Sequence, residues 1–219
     1  MQNIECIIFD CDGVLVDTET IMISVLLEMA AIPGTKIDIK EAVKLFSGRQ
    51  ILETIKMLED MRGTRFPENF EQHFRQRAYD EFKRKVKPID GVLDLLQTIS
   101  VPYCVASSGP REKIELNLQL TGILPFFDAA RIFSSYEIGS WKPDPGIFLH
   151  AAKAMSFLPS QCIVIEDSLA GVEAGVRGGF RVFALANDHN KEELGEKGAV
   201  VFNKMSELPQ LLGNGFFKM

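Results

Sequence analysis

The sequence predicts an α/β protein, a doubly wound parallel sheet with a small all-helical domain inserted after the first strand. From residue 91 onward, short apolar runs alternate with helical segments, which is typical of parallel strands joined by crossover helices. Between residues 16 and 90 this alternation stops and only helical patterns occur. We therefore expect a core formed by residues 1–15 and 91–219, and a four-helix domain formed by residues 16–90.

The first strand comes from the apolar run at residues 7–9, which is typical of a strand buried on both faces. Four helices follow in the insertion, at residues 19–31, 39–46, 50–61 and 67–86. The core then contains predicted strands at residues 103–106, 131–133, 162–165, 181–184 and 199–202. Between them we expect helices at residues 92–100, 110–121 and 146–155, and a fourth that ends near residue 178.

Composition excludes several classes of protein. The 219 residues are 46% hydrophobic and 25% charged, as in an ordinary globular chain. A formal net charge of −6 argues against a general nucleic-acid binder, which needs basic patches. The four cysteines lack paired spacing, so we expect free buried thiols in a reducing compartment. Neither a signal peptide nor a membrane-spanning run is visible. We expect a cytoplasmic monomer without nucleic-acid or membrane partners.

Two carboxylates, Asp10 and Asp12, follow the first strand directly, and Gly13 permits the sharp turn after them. Ligands of parallel α/β sheets bind at the carboxyl ends of the strands, where both side chains fall. Two close carboxylates repel each other, so either one is protonated or a cation lies between them. By itself, the pattern is equally consistent with a strand that ends in a polar turn.

Two further buried strands end in polar residues, Ser107 in one case and Glu166 with Asp167 in the other. The carboxyl ends of parallel strands meet at one edge, so Asp10, Glu166 and Asp167 form a predicted oxygen cluster suited to Mg²⁺. Ser107 precedes a helix N-terminus, which favours an anion. Lys142 lies on a proline-bounded loop and supplies a charge that matches phosphate.

Each of these features also has a simpler explanation. Ser107 or Ser108 is equally suited to cap its helix, most single lysines are solvated at the surface, and acidic residues favour helix starts. It is the combination, in this order and at these strand ends, that indicates a site for an anionic substrate and a cation.

The ordered motifs resemble those of the haloacid dehalogenase-like hydrolases over essentially the whole chain: Asp10-Cys11-Asp12-Gly13, Ser107, Lys142 and Glu166-Asp167. The helical insertion falls where that superfamily places its small four-helix cap. Further segments resemble its sugar-phosphatase and β-phosphoglucomutase group, at residues 133–138, 141–145, 150–155, 167–171 and 188–191.

The resemblance implies a Mg²⁺-dependent phosphatase of a sugar phosphate or phosphorylated sugar acid. Asp10 would attack phosphorus and form an aspartyl-phosphate, and Asp12 would act as general acid and base. Lys142 and Ser107 would bind phosphoryl oxygens, and Lys142 should keep Asp10 ionised. The implied magnesium ligands are the carboxylates of Asp10, Glu166 and Asp167 and the backbone carbonyl of Asp12.

Substrate contacts are implied at Ser108, and at Gly48 and Arg49 in a segment that resembles the loop of the cap facing the crevice. An ordinary exposed arginine is an equally good explanation of Arg49. A phosphomutase of the same group uses the same catalytic residues. In those mutases a histidine and a phosphate-binding arginine stand where this chain has Met22 and Ile51, so we expect a phosphatase. Arg49 could take the place of that arginine, which keeps the mutase as the alternative.

Two more distant alternatives fit the sequence less well. A phospho-accepting signalling receiver carries no helical insertion, and its acceptor is not followed by a second aspartate two residues later. A dehalogenase would share the nucleophile but would have no use for Asp12 or for the metal-binding carboxylates.

Overall fold

The computed structural model describes residues 4–30, 37–46, 51–187 and 190–217. The chain divides into two compact units, one formed by Met1–Val16 and Lys87–Met219 and the other by Asp17–Val86. The strands are β1 Cys6–Phe9, β2 Val16–Asp17, β3 Lys87–Pro88, β4 Tyr103–Ser107, β5 Ile132–Ser134, β6 Cys162–Glu166, β7 Arg181–Leu185 and β8 Val200–Phe202. The helices are α1 Glu19–Ala30, α2 Ile39–Phe46, α3 Ile51–Arg62, α4 Phe70–Lys85, α5 Val92–Thr98, α6 Arg111–Leu120, α7 Ser135–Ile138, α8 Gly146–Ala154, α9 Leu169–Arg177, α10 Lys191–Glu196 and α11 Leu208–Leu212.

The first unit is built on a six-stranded parallel sheet in the order β5-β4-β1-β6-β7-β8. This is the doubly wound order of Rossmann-like folds, which confirms the predicted fold class. The chain builds outward from β1 through β4 and β5, and then crosses to β6 on the other side of β1. Ligands of such sheets bind where the direction changes, beyond the carboxyl ends of the two strands concerned. Here those strands are β1 and β6.

Strand β1 is central because all of its side chains are apolar or thiol and buried. Ile8 lies level with Cys104 on one neighbouring strand and with Val164 on the other. These side chains belong to one buried cluster that also includes Phe148 and Ala151 of α8. The packing fixes the register of the three central strands, and therefore the level at which their polar ends stand.

The second unit contains α1 to α4 and has its own core. In α4, Phe70, Phe74, Ala78 and Phe82 repeat every four residues, and all four are buried. The sequence predicts this helix from residue 67, but it begins at Phe70, because residues 67–69 form a turn in which the Phe70 N–H donates to the Pro67 carbonyl at 2.9 Å. Within the described residues, no helix has the length and apolar character needed to cross a membrane.

Candidate active site

Asp10 stands one residue beyond β1 and is 5% exposed. Its backbone N–H donates to the Ile165 carbonyl at 2.9 Å, which continues the pairing of β1 with β6 past the end of the strand. The carboxylate is therefore fixed at the change of direction in the sheet. Lys142 forms an ion pair with this carboxylate.

Lys142 joins two carboxylates. Its ammonium contacts Asp10 and lies 2.5 Å from Oε1 of Glu166, and its side chain is 6% exposed. The loop that carries it contains a cis peptide bond before Pro143. Burial tends to lower the pKa of Lys142, but attraction to Asp10 and Glu166 outweighs burial and raises the pKa above its ordinary value. Lys142 is thus a positive charge in a buried site.

Glu166 ends β6 and is fully buried, and its second oxygen is held by the turn that follows. Oε2 accepts hydrogen bonds from the backbone N–H groups of Asp167 and Ser168, both at 2.8 Å, and from the Ser168 hydroxyl at 3.0 Å. Gly171 in α9 leaves room for this carboxylate, since a Cβ there would overlap it. The orientation of Glu166 is therefore set by α9 as well as by its strand.

Asp10, Glu166 and Asp167 each offer a carboxylate oxygen, and the three oxygens lie within 4.8 Å of one another. Hard oxygen donors at this spacing fit a divalent cation such as Mg²⁺. Gly13, with φ of 82°, makes room for Asp167, because a Cβ at this position would overlap its carboxylate. The structure thus brings together the three predicted metal-binding carboxylates. Ligation by the Asp12 carbonyl stays a prediction.

The electrostatics of Asp10 differ from the sequence-based expectation. The pKa of Asp10 is raised to about 7: burial is the largest cause and raises it, attraction to Lys142 lowers it, and repulsion by Glu166 and Asp12 raises it. The sequence led us to expect that Lys142 alone keeps Asp10 ionised. The raised pKa shows that the attraction to Lys142 does not fully offset burial and the neighbouring carboxylates. An additional cation among the carboxylates would favour the ionised form.

Ser107 ends β4 and is 1% exposed. Its Oγ accepts a hydrogen bond from the Gly109 N–H at 3.2 Å, and the Ser134 hydroxyl donates to the Gly109 carbonyl at 2.6 Å. Helix α6 begins at Arg111 behind Pro110, without a side-chain cap. Helix capping thus does not explain Ser107 or Ser108, and both belong to a braced turn at the edge of the sheet.

Lys113 is a residue that sequence reasoning missed. Its Nζ lies 2.8 Å from Oδ2 of Asp12, with 20% of the lysine and 29% of the aspartate side chain exposed. Burial lowers the pKa of Lys113, but attraction to Asp12 outweighs it and the pKa is raised. One signal was available: a cation in the first turn of a helix opposes the helix dipole, so it calls for a nearby anion.

Two predicted substrate contacts, Gly48 and Arg49, lie outside the described residues. So do residues 188 and 189, which begin one of the segments that resemble the sugar-phosphatase group. Ser108 is described and half-buried in the turn after β4. Met22 and Ile51, which occupy the mutase positions, are partly buried and pack against the core of the helical unit.

The chain resembles known proteins along almost its full length. The family model of haloacid dehalogenase-like hydrolases matches residues 7–185. The chain is 34% identical over 212 residues to 6-phosphogluconate phosphatase of Escherichia coli, covering 96% of each protein. It is 26% identical over 219 residues to a phosphorylated carbohydrates phosphatase of Thermotoga maritima, covering 95% of this chain and 98% of that protein.

Solved structures give the same picture. A conserved haloacid dehalogenase-like protein from Agrobacterium tumefaciens superposes with a TM-score of 0.86 at 30% identity, covering 96% of this chain and 98% of that one. A hydrolase of this type from Deinococcus radiodurans, solved with bound phosphate and sodium, gives a TM-score of 0.84 at 26% identity, with 97% and 96% covered.

Proposed function

This chain belongs to the haloacid dehalogenase-like hydrolases, and from that premise we propose that it is a Mg²⁺-dependent phosphatase of a small phosphorylated sugar or sugar acid such as 6-phosphogluconate. It is a phosphoric monoester hydrolase by its family and relatives. The observation that carries the finer proposal is the buried cluster in which Lys142 joins Asp10 to Glu166 at the edge of the sheet. Such a cluster offers a nucleophile and a positive charge side by side in a buried site.

The reaction proceeds in two displacements. Asp10 attacks phosphorus, the bond from phosphorus to the ester oxygen breaks, and Asp12 protonates the departing alkoxide. Water then attacks the aspartyl-phosphate while Asp12 takes a proton from it, which releases phosphate and restores Asp10. The Lys142 ammonium and the Ser107 hydroxyl bind phosphoryl oxygens as charge moves onto them.

The metal fits the donor set described above, because three carboxylate oxygens stand close enough to share one cation. Asp10, Glu166, Asp167 and the carbonyl of Asp12 would hold it. When bound, Mg²⁺ supplies positive charge that offsets the repulsion between these carboxylates and favours ionised Asp10.

The substrate class is supported by the relatives, one named for 6-phosphogluconate and another for phosphorylated carbohydrates. A net charge of −6 supports a small-molecule partner rather than a nucleic acid. The four cysteines are free and buried, which supports a cytoplasmic location. We also propose that the protein is a monomer.

The test is phosphate release from a panel of sugar phosphates and phosphorylated sugar acids, with Mg²⁺ and then with EDTA. We expect turnover with Mg²⁺, highest for a sugar acid phosphate, and loss of turnover in EDTA. Asp10→Asn should lower kcat by a factor of about 10⁴ or more, whereas the exposed Asp94→Asn should not change it. Undiminished turnover in EDTA, or in Asp10→Asn, would contradict the proposed mechanism.

The phosphomutase alternative needs a second phosphate site. Met22 and Ile51 cannot pair with a phosphate, and an unpaired buried dianion is costly. We therefore expect phosphate release to exceed isomerisation when β-glucose 1-phosphate is supplied with catalytic glucose 1,6-bisphosphate. Formation of glucose 6-phosphate faster than free phosphate would replace the phosphatase assignment with a mutase.

A further inference from the structure

Asp12, the proposed general acid and base, forms an ion pair with a lysine other than Lys142. Lys142 serves Asp10 and Glu166, whereas Lys113 reaches Asp12 from a different element, the first turn of α6. The two lysines therefore pair with different carboxylates of the site. The function proposed above assigns a task to Lys142 and leaves Lys113 without one.

The carboxylate of Asp12 is less enclosed than the other carboxylates that pair with lysine in this site. Its backbone is secured, because Asp12 forms a bridge with Val16 and the N–H of Gly13 donates to the Val16 carbonyl at 2.8 Å. Its side chain, however, is 29% exposed, in contrast to the buried Asp10 and Glu166. A short, partly exposed carboxylate has several staggered positions, and a directed bond favours one of them. The ion pair with Lys113 is such a bond.

The position of Lys113 is prepared by the turn that precedes its helix. The lysine stem passes over Gly109, where a Cβ would lie 3.6 Å from Cδ of Lys113 and 3.6 Å from Oγ of Ser107. The turn is itself braced by the hydrogen bond from Ser134 to the Gly109 carbonyl. Helix stability does not explain a cation here, because the N-terminal dipole disfavours positive charge.

We propose that Lys113 is a positioning residue that holds the Asp12 carboxylate in the orientation needed to exchange a proton with the leaving group. The inference rests on the proposed function, because it assigns a task to Lys113 in the same reaction. Asp12 contacts the reacting atoms, and Lys113 acts through Asp12. Loss of Lys113 should therefore matter most when departure of the leaving group needs a proton.

The experiment compares phenyl phosphate with p-nitrophenyl phosphate, two esters of similar shape whose leaving groups differ in basicity. kcat/KM is measured because it reports the step in which the leaving group departs. Lys113→Met, which keeps the stem and removes the charge, should lower kcat/KM about tenfold or more for phenyl phosphate and less than about twofold for p-nitrophenyl phosphate. Lys113→Arg should recover most of the loss.

A double-mutant cycle separates positioning from a structural role. In an Asp12→Asn background, Lys113→Met should have no further effect, because the group it positions is gone. Lys197→Met removes an exposed cation paired with Glu173 and serves as the control. It should leave kcat/KM unchanged for both substrates. If Lys113→Met fails to fold, as judged by its melting curve, Lys113→Gln replaces it in the cycle.

The outcomes are distinguishable from those of the proposed function. Wild-type protein that hydrolyses no phosphate ester with Mg²⁺ would defeat the proposed function itself, whatever the variants do. With an active wild type, equal losses on both substrates, no loss on either, or a loss that persists in the Asp12→Asn background would overturn the role of Lys113.

Discussion

Asp10 is surrounded by charge and excluded from water, and this combination sets how the metal-free protein responds to pH. Its pKa is raised from an ordinary value of 3.8 to about 7, mainly by burial. Between these two values the folded protein holds a proton that the unfolded chain has released. The free energy of unfolding therefore falls as pH rises through this window.

We predict that the free energy of unfolding of the wild type in EDTA falls between about pH 4 and about pH 7, and that Asp10→Asn shows a smaller fall, since asparagine does not titrate. Urea denaturation at a series of pH values measures both slopes. Asp94→Asn is the matched control, because it removes an exposed carboxylate from α5. Equal slopes for the wild type and Asp10→Asn would contradict the pKa assigned to Asp10.

Gly171 shows how a residue without a side chain shapes the site. A Cβ there would overlap the carboxylate of Glu166, which is fully buried and cannot retreat into solvent. We predict that Gly171→Ala weakens Mg²⁺ binding by about tenfold or more, the usual effect of disturbing a group that orients a metal ligand. Titration of activity against Mg²⁺ concentration measures the change.

The matched control is Gly195→Ala, a helical glycine whose added Cβ would make only an ordinary contact with Val201 at 3.7 Å. It should leave the Mg²⁺ requirement unchanged and, as a helical Gly→Ala change, should not destabilise the fold. A normal Mg²⁺ requirement in Gly171→Ala would show that Glu166 is less tightly confined than the structure indicates.

At the scale of elements, α9 is joined to the site through its first residues. Ser168 is its N-cap: the hydroxyl accepts from the Gly171 N–H at 3.1 Å and donates to Glu166 at 3.0 Å. One side chain thus stabilises the helix start and orients a carboxylate at the end of β6. The helix and the strand depend on each other through this hydroxyl.

We predict that Ser168→Ala lowers the free energy of unfolding by about 1 kcal/mol, the typical cost of a lost N-cap, and also raises the Mg²⁺ concentration needed for half-maximal activity. Ser168→Thr keeps the hydroxyl and should retain most of both properties. Urea denaturation and Mg²⁺ titration give the two readouts. A stability loss without any change in the Mg²⁺ requirement would limit Ser168 to capping.

The elements also show which parts of this molecule a sequence can predict. The runs at β1, β4 and β6 are short, apolar and followed by polar residues, so both the strands and the site residues at their ends were predictable. The pairing of Lys113 with Asp12 was not predictable, because the two residues are 101 positions apart and the contact depends on the direction of a helical side chain. The place of Lys113 in the first turn of α6 indicates only that it needs some anion nearby. The raised pKa of Asp10 was also missed, because burial depends on packing that a sequence pattern does not quantify.

At the scale of the whole molecule, all the described residues of the site belong to the unit formed by Met1–Val16 and Lys87–Met219. The single tryptophan, Trp141, is in the same unit and directly precedes Lys142. Its fluorescence therefore reports on the unit that would bind the metal.

We predict that Mg²⁺ at about 100 times its dissociation constant raises the free energy of unfolding seen by Trp141 fluorescence by about 2.7 kcal/mol, because the ion binds only the folded state. Sodium chloride at the same ionic strength is the control. Gly171→Ala should show a smaller increase at the same Mg²⁺ concentration. An equal increase with sodium chloride would indicate general screening rather than binding among the carboxylates.

Strands β2 and β3 pair with each other at the two points where the chain passes between its units. The intervening segment therefore leaves and returns through neighbouring positions, so its length places no demand on the closure of the sheet. Every strand of the six-stranded sheet is encoded outside codons 17 to 86, so genetic crossovers at these two codons would exchange the helical segment and leave that sheet unchanged. Recombination among relatives would in this way combine one catalytic unit with different helical units.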